Sequence, residues 1–310
     1  FLQGIPAGGE LPGAIWFLAE ERKNERDKIL KCSFSLVGPQ IGLLLSLAVV
    51  LLLQEYLSYE TLLNQAWRIA FLSTGFLGIG GYLLRSSLHE TRDYNLMKAG
   101  HKIVQYPVRE LFKNYRFELI LAFSLSIFEV VAFCLLTVIP IIYFNQIFGL
   151  KSFSSLLIHV SVLIACIIFP PIFGKIASLL PNKIILLTEL SAWSVIIFSP
   201  LFYFSIDSAK LFSTLIAQML LVIFFSVQVA ILPYFLVNLF PTHIRYSGIG
   251  FSFNVCDGIL WGLVPIITNI LISKTQNIAS FVILFPLSAI IFLISARILK
   301  KNWNKYFFNI

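Results

Sequence analysis

The chain has 310 residues, of which 58% are hydrophobic and only 12% are charged, and its formal net charge is +8. A typical soluble domain is about half apolar and a quarter charged, so this composition excludes an ordinary soluble fold. The positive charge does not indicate a nucleic-acid partner, because the Lys and Arg residues lie in short connectors between apolar runs. That distribution is typical of a membrane protein.

The apolar runs predict nine membrane-spanning helices, since one span needs about 20 mostly apolar residues. The first run is the shortest and is interrupted by prolines and glycines. In chain order the predicted spans are 1–19, 33–53, 66–84, 119–143, 155–173, 184–204, 211–238, 246–272 and 278–298. We therefore expect an all-α membrane protein whose partners include the lipid bilayer.

A polar stretch divides these spans into two groups. It predicts a partial N-terminal bundle at 1–84, a loop at 85–118 and a six-helix bundle with a tail at 119–310. The basic residues favour one side of the predicted membrane, and the exceptions are Arg68, Lys151, Lys210 and Lys274. Because cytoplasmic connectors are enriched in Lys and Arg, we expect the central loop and the C-terminus to be cytoplasmic. Nine spans then place residue 1 outside, so we expect that the sequence lacks its beginning.

Several motifs resemble the metabolite:proton symporters of the major facilitator superfamily, which include the proline/glycine-betaine transporters. Residues 1–14 (FLQGIPAGGELPGA) resemble that family's fourth span, and residues 67–71 (WRIAF) resemble the start of its sixth. The Glu-Thr pair at 90–91 matches the segment after the sixth span. The most specific match is 240–248 (FPTHIRYSG), between spans ten and eleven, and Asn254, Gly262 and Pro265 fit span eleven.

The resemblance implies a major facilitator-like bundle in which this chain supplies spans four to twelve of twelve. It implies a multi-pass protein of the cell inner membrane that takes a small zwitterionic osmolyte or organic acid, such as proline or betaine, together with protons. A separate chain supplying the missing helices is a further expected partner. Gly174 and Lys183 keep the first and last positions of the family's gating loop, where Ser178 and Leu179 replace its Asp and Arg.

Glu10 is the first candidate for proton or substrate binding. A charged group inside a span costs roughly 2.5–3.5 kcal/mol on insertion scales, so its presence needs a reason. The flanking glycines allow close helix approach, and the resemblance places Glu10 on a cavity-lining helix. It could accept the coupled proton or pair with a cationic substrate group; a structural hydrogen bond to another helix is the alternative.

Asp257, Asn254 and Trp261 form a second candidate group near the middle of span 246–272. An acid there could bind a proton or a quaternary ammonium group, and an indole ring attracts such cations. Glu129, in span 119–143, could face the same cavity or make a helix-to-helix hydrogen bond.

Other residues are candidates for gating or structural roles. Gly38 and Gly42 are four residues apart, a spacing that favours close helix packing in membranes. Arg68 follows Trp67 and is expected to anchor the outer interface, whereas Arg245 is expected at the inner interface, where it could snorkel or pair across helices.

The sequence offers no motif for an enzyme, a metal site or a cofactor, so we expect none of these. The leading hypothesis is a proton-coupled symporter that works by alternating access. Two other hypotheses remain: a non-transporting remnant of a truncated or split transporter gene, and an enzyme that acts on lipid, for which no catalytic cluster is visible.

Overall fold

The structure is a computed structural model that describes residues 4–87, 89–100, 104–149 and 152–307. Those residues form helices and connecting turns, and no strand occurs among them. The all-α membrane class predicted from the sequence is confirmed.

Fourteen helices follow one another in the described parts of the chain. The first seven are α1 Gly4–Glu20, α2 Glu25–Cys32, α3 Val37–Tyr56, α4 Tyr59–Thr61, α5 Trp67–Ser86, α6 Arg92–Ala99 and α7 Pro107–Asn114. The next seven are α8 Arg116–Phe148, α9 Ser152–Leu179, α10 Ile184–Asp207, α11 Leu211–Leu239, α12 Thr242–Thr275, α13 Leu284–Lys301 and α14 Trp303–Phe307. A π-helical turn at Leu62–Ala66 precedes α5, and 3₁₀ turns lie at Pro181–Lys183 and Ile278–Ile283.

Eight segments of the described chain are long and apolar enough to cross a membrane. They are Glu25–Leu53, Asn64–Ser86, Arg116–Phe144, Leu156–Leu179, Pro181–Asp207, Leu211–Leu239, Thr242–Thr275 and Ile278–Lys301. Each coincides with one predicted span. The remaining predicted span, 1–19, corresponds to α1 at Gly4–Glu20, and residues 1–3 of that prediction lie outside the described residues.

Proline lies inside several of these helices, including Pro140 in α8, Pro233 in α11 and Pro265 in α12. A bilayer has no water to satisfy a broken backbone hydrogen bond, so a spanning segment must remain helical. The helices continue through these prolines.

The predicted polar loop at 85–118 contains more structure than the sequence indicates. It carries the two short helices α6 and α7, and Thr91 caps α6 by accepting a hydrogen bond from the backbone amide of Tyr94 (3.3 Å). Helix α7 buries Leu111 and packs against α12, where the rings of Phe112 and Phe251 meet edge to face at 4.8 Å.

Helices α8, α11 and α13 are the most buried of the eight described span-length segments. The ring of Phe128 contacts those of Phe225 and Phe292 across these three helices. Gln218 of α11 donates a hydrogen bond to the carbonyl of Leu136 in α8 (2.9 Å), so a buried amide also joins two helices. Close packing and such hydrogen bonds hold helices together where lipid removes the hydrophobic drive between them.

The helices of the first part contact those of the second part at defined places. Helix α1 packs along α12, while α2 and α3 pack on α9 and α2 also reaches α11. Helix α5 differs, because it buries none of its residues. These contacts bring the ends of α1 and α2 to the junction between α11 and α12.

Candidate functional site

A buried ion pair joins the end of α1 to the beginning of α12. Arg245 Nη1 lies 2.6 Å from Glu20 Oε1, and both side chains are almost completely buried. Arg245 Nε also donates to the backbone carbonyls of Val237 (3.0 Å) and Phe240 (3.2 Å), which close α11. The guanidinium therefore connects three helix ends.

Thr91, at the start of α6, also contacts this ion pair. Its hydroxyl donates to Glu20 Oε2 at 2.6 Å, so both oxygens of the buried carboxylate have a partner. Thr91 is the threonine of the Glu-Thr pair that carries part of the family resemblance. The contact explains why a threonine suits this position: it caps α6 and donates to Glu20 at the same time.

A second buried contact lies beside the first. Lys28 of α2 donates from Nζ to Asn238 Oδ1 of α11, and the lysine side chain is fully buried. The hydroxyl of Tyr234 donates to Glu25 Oε2 (3.1 Å), and the Lys28 ammonium lies 5.4 Å from the Tyr234 ring centroid. We call Glu20, Lys28, Thr91, Asn238 and Arg245 the helix-end cluster.

Two glycines let the helices of the two parts approach closely. A Cβ atom at Gly174 of α9 would collide with the side chain of Ser33, in the turn between α2 and α3. A Cβ at Gly9 would lie 2.9 Å from the hydroxyl of Tyr246, which donates to the Gly9 carbonyl (3.1 Å). Asn254 donates to the neighbouring Gly8 carbonyl at 2.6 Å. Asn254 thus joins α12 to α1.

The predicted residues Glu129, Asp257 and Trp261 come together between α8 and α12. The Trp261 indole donates from Nε1 to Asp257 Oδ1 (2.6 Å), and its ring meets Phe133, one turn from Glu129, at 5.8 Å. Glu129 is buried and Asp257 is half-buried. Both acids lie one turn from the contact between Phe133 and Trp261, on adjoining helices, and we call them the acid pair.

Helix α12 is exposed beside the acid pair, whereas its first turns are packed against other helices. Gly258 and Gly262 are exposed, and a Cβ at either position would meet nothing within 4 Å. With Trp261, which is 36% exposed, they form an open face next to Asp257. The first turns of the same helix are instead packed against α1, α7 and α11.

Glu10 pairs with a residue that belongs neither to the helix-end cluster nor to the acid pair. Its carboxylate pairs with Arg85 of α5 at 3.3 Å, and both side chains are more than half exposed. The ion pair joins α1 to α5, which is a helix-to-helix contact of the kind that a structural role for Glu10 predicts.

Four predicted gating residues lie on exposed parts of the described chain. Gly38 and Gly42 are exposed, and a Cβ at either would meet nothing within 4 Å, so the close packing expected from their spacing is absent. Arg68 lies over the ring of Trp67 (4.7 Å) and donates to the Asn64 carbonyl on the exposed surface. Lys183 ends an exposed 3₁₀ turn.

Sequence reasoning selected Arg245 but missed its partner Glu20 and the Lys28–Asn238 contact. A usable signal was present, because Glu20 ends the first apolar run just before a basic segment. An acid at that place needs a cation once it is buried.

A cavity of about 680 Å³ borders the helix-end cluster. Arg22, Asn238, His243, Arg245 and Lys305 lie on its wall. The hydrogen bond from Lys305 to Glu118 is the main reason that the pKa of Lys305 is raised, so the Lys305 ammonium stays charged beside the cavity.

Among the described residues, no three His, Cys, Asp or Glu side chains come together as metal ligands.

The chain is similar to named membrane transporters. A "Putative proline/betaine transporter" of Staphylococcus aureus (strain MSSA476) is 26% identical over 287 residues, covering 89% of this chain and 59% of the relative. The glycine betaine/proline/ectoine/pipecolic acid transporter OusA of Dickeya dadantii is 25% identical, covering 98% of this chain and 62% of OusA. The inner membrane metabolite transport protein YhjE of Escherichia coli is 27% identical, covering 83% and 59%.

The chain therefore spans about three fifths of the length of these relatives. No family model matches it. The relatives are named as transporters and not as enzymes, which agrees with the non-enzyme prediction, and the helices make the chain a multi-pass membrane protein.

Proposed function

We propose that the chain is a proton-coupled transporter of a small zwitterionic osmolyte, such as proline or betaine, and that it works by alternating access. In this proposal its helices take the major facilitator arrangement in the cell inner membrane, with the C-terminus cytoplasmic. The names of the relatives support the substrate class. The eight span-length helices support a membrane bundle, and the contacts of α1, α2 and α3 with α9, α11 and α12 give its two parts an interface.

The acid pair beside Trp261 is the observation that carries the proposal. A carboxyl group that is buried away from water is costly to ionise, and a bound proton removes that cost. Glu129, the more deeply buried of the two, is our candidate for the proton carrier. Loss of its proton would then leave two negative charges beside the open face of α12.

Trp261 and Asp257 would bind the substrate's cationic end. A betaine carries a quaternary ammonium group, which an indole ring attracts through its π electrons, and a carboxylate within hydrogen-bond reach of that indole adds an opposite charge. The substrate and the proton would therefore act on one small group of residues, which is the arrangement that coupling requires.

The helix-end cluster would act as the gate at the other end of α12. Alternating access needs contacts between the two parts that break in one state and re-form in the other. The contacts Glu20–Arg245 and Lys28–Asn238 join α1 and α2 to α11 and α12. Breaking them would open that end, and Gly174 would keep α9 against the turn at Ser33 in the closed state.

Uptake by the full chain in proteoliposomes tests this function. We expect accumulation of labelled betaine or proline when the outside is made more acidic than the inside, and collapse of accumulation when a protonophore is added. Uptake that ignores the pH gradient would remove proton coupling from the proposal. A folded protein without any uptake would favour the alternative of a non-transporting remnant.

Glu129→Gln separates the proton carrier from the exposed acid Glu10. We expect the variant to lose gradient-driven accumulation but to retain exchange of labelled for unlabelled substrate, because glutamine keeps the shape and cannot exchange the proton. Glu10→Gln is the matched control, since its carboxylate is exposed and paired with Arg85. The reverse pattern would assign the proton to Glu10, as the sequence alone suggested.

A further inference from the structure

A charged groove lies on the outer surface of α10 and α13, away from the acid pair and the helix-end cluster. Its volume is about 570 Å³, and Glu189, Trp193, Arg297, Lys300 and Lys301 line it. Helices α10 and α13 pack directly on each other, so one wall comes from each. We call these five residues the interfacial groove.

The interfacial groove carries an excess of positive charge. Three basic side chains face one carboxylate, and the nearest pair, Lys300 Nζ and Glu189 Oε2, is separated by 3.9 Å. The Lys300 side chain is 63% exposed, and Arg297 and Lys301 are exposed as well. Pairing with Glu189 therefore leaves a net positive surface.

An apolar surface continues from the groove along both helices. On α13, Ile290 and Ile294 share one helical face with Arg297 and Lys301 and are 45% and 56% exposed. On α10, Ile197 lies one turn beyond Trp193 and is 65% exposed. Along the two helices, the charged and indole groups of the groove are therefore followed by exposed aliphatic side chains.

We propose that the interfacial groove binds the headgroup of an anionic phospholipid. Its phosphate would lie among Arg297, Lys300 and Lys301, and its acyl chains along Ile197, Ile290 and Ile294. Basic pockets between membrane helices bind anionic headgroups, and tryptophan rings favour the headgroup level of the bilayer. A soluble anion would use the charges alone, whereas a lipid also uses the adjoining apolar surface.

Native mass spectrometry of the detergent-purified chain, titrated with phosphatidylglycerol or phosphatidylcholine, tests this proposal. We expect the wild type to prefer phosphatidylglycerol, and the double substitution Arg297→Gln with Lys301→Gln to weaken that binding at least about 10-fold, since each basic group near a surface contributes to the attraction. The control pair Lys113→Gln with Lys175→Gln removes the same charge from exposed positions outside the groove and should change little.

Glu189→Gln provides a second test in the opposite direction. Removing the carboxylate from the groove should strengthen phosphatidylglycerol binding, even if the double variant fails to fold. Equal losses in the test and control pairs, no preference between the two lipids, or weaker binding after Glu189→Gln would each overturn the proposal. Displacement of the lipid by glycerol phosphate alone would show a site for soluble anions instead.

Discussion

Helix α12 carries charge at two places, and the two places differ in how that charge is balanced. At its first turn, Arg245 is paired with Glu20 and bound to two backbone carbonyls, with both charged groups buried. Twelve residues later, about 18 Å along the helix, Asp257 is half-buried and accepts a hydrogen bond from Trp261, whose ring contacts Phe133 one turn from Glu129. Opposite charges that pair with each other fix a helix contact, whereas two acids on adjoining helices favour uptake of a proton or a cation.

Arg245→Met should have the largest effect on stability. It leaves Glu20 buried without its cation, and breaking one partner of a buried ion pair costs about 3–5 kcal/mol. The measurement is the free energy of unfolding of the purified chain in detergent. Arg85→Gln removes an exposed ion pair with Glu10 and should cost no more than about 1 kcal/mol.

The double variant Glu20→Gln with Arg245→Met sharpens the same comparison. It removes both buried charges, so it should recover part of the stability lost in Arg245→Met. Equal stability losses for Arg245→Met and Arg85→Gln would show that burial does not distinguish the two ion pairs.

Gly174→Val should have an intermediate effect. A side chain at this position collides with Ser33, so α9 must separate from the turn between α2 and α3, and overpacking of this kind costs about 1–3 kcal/mol. Gly42→Val is the matched control on α3, where an added Cβ meets nothing within 4 Å. Thermal unfolding of both variants checks the prediction, and similar melting temperatures would contradict a close contact at Gly174.

Trp261→Leu should have the smallest effect, confined to substrate binding. A cation–π contact contributes roughly 0.5–2 kcal/mol, so the apparent affinity for betaine should fall about 2- to 30-fold while stability stays unchanged. Trp67→Leu replaces an indole stacked on Arg68 at the exposed surface and should leave affinity intact. Unchanged betaine affinity after Trp261→Leu would remove the indole from the proposed site.

The spans were predictable because a bilayer demands an apolar run of a fixed minimum length. The proximity of Asp257 to Trp261 was also predictable, since residues four apart share a helix face. The pairing of Glu20 with Arg245 was not, because 225 positions separate them and only the packing of α1 on α12 brings them together. Gly38 and Gly42 show the converse: their spacing permits close packing, but both are exposed, and a Cβ added at either would meet no described atom within 4 Å.

Cysteine labelling at Gly258 tests most directly whether the open face beside the acid pair lines a substrate site. The native cysteines Cys32, Cys134, Cys166 and Cys256 are buried, so the unmodified chain should give little background. We predict that Gly258→Cys reacts rapidly with a charged maleimide and that betaine slows the reaction, while Ile290→Cys, exposed on the aliphatic surface of α13, stays unreactive. A Gly258→Cys variant that does not react, or whose reaction betaine leaves unchanged, would contradict a water-filled substrate site at Glu129, Asp257 and Trp261.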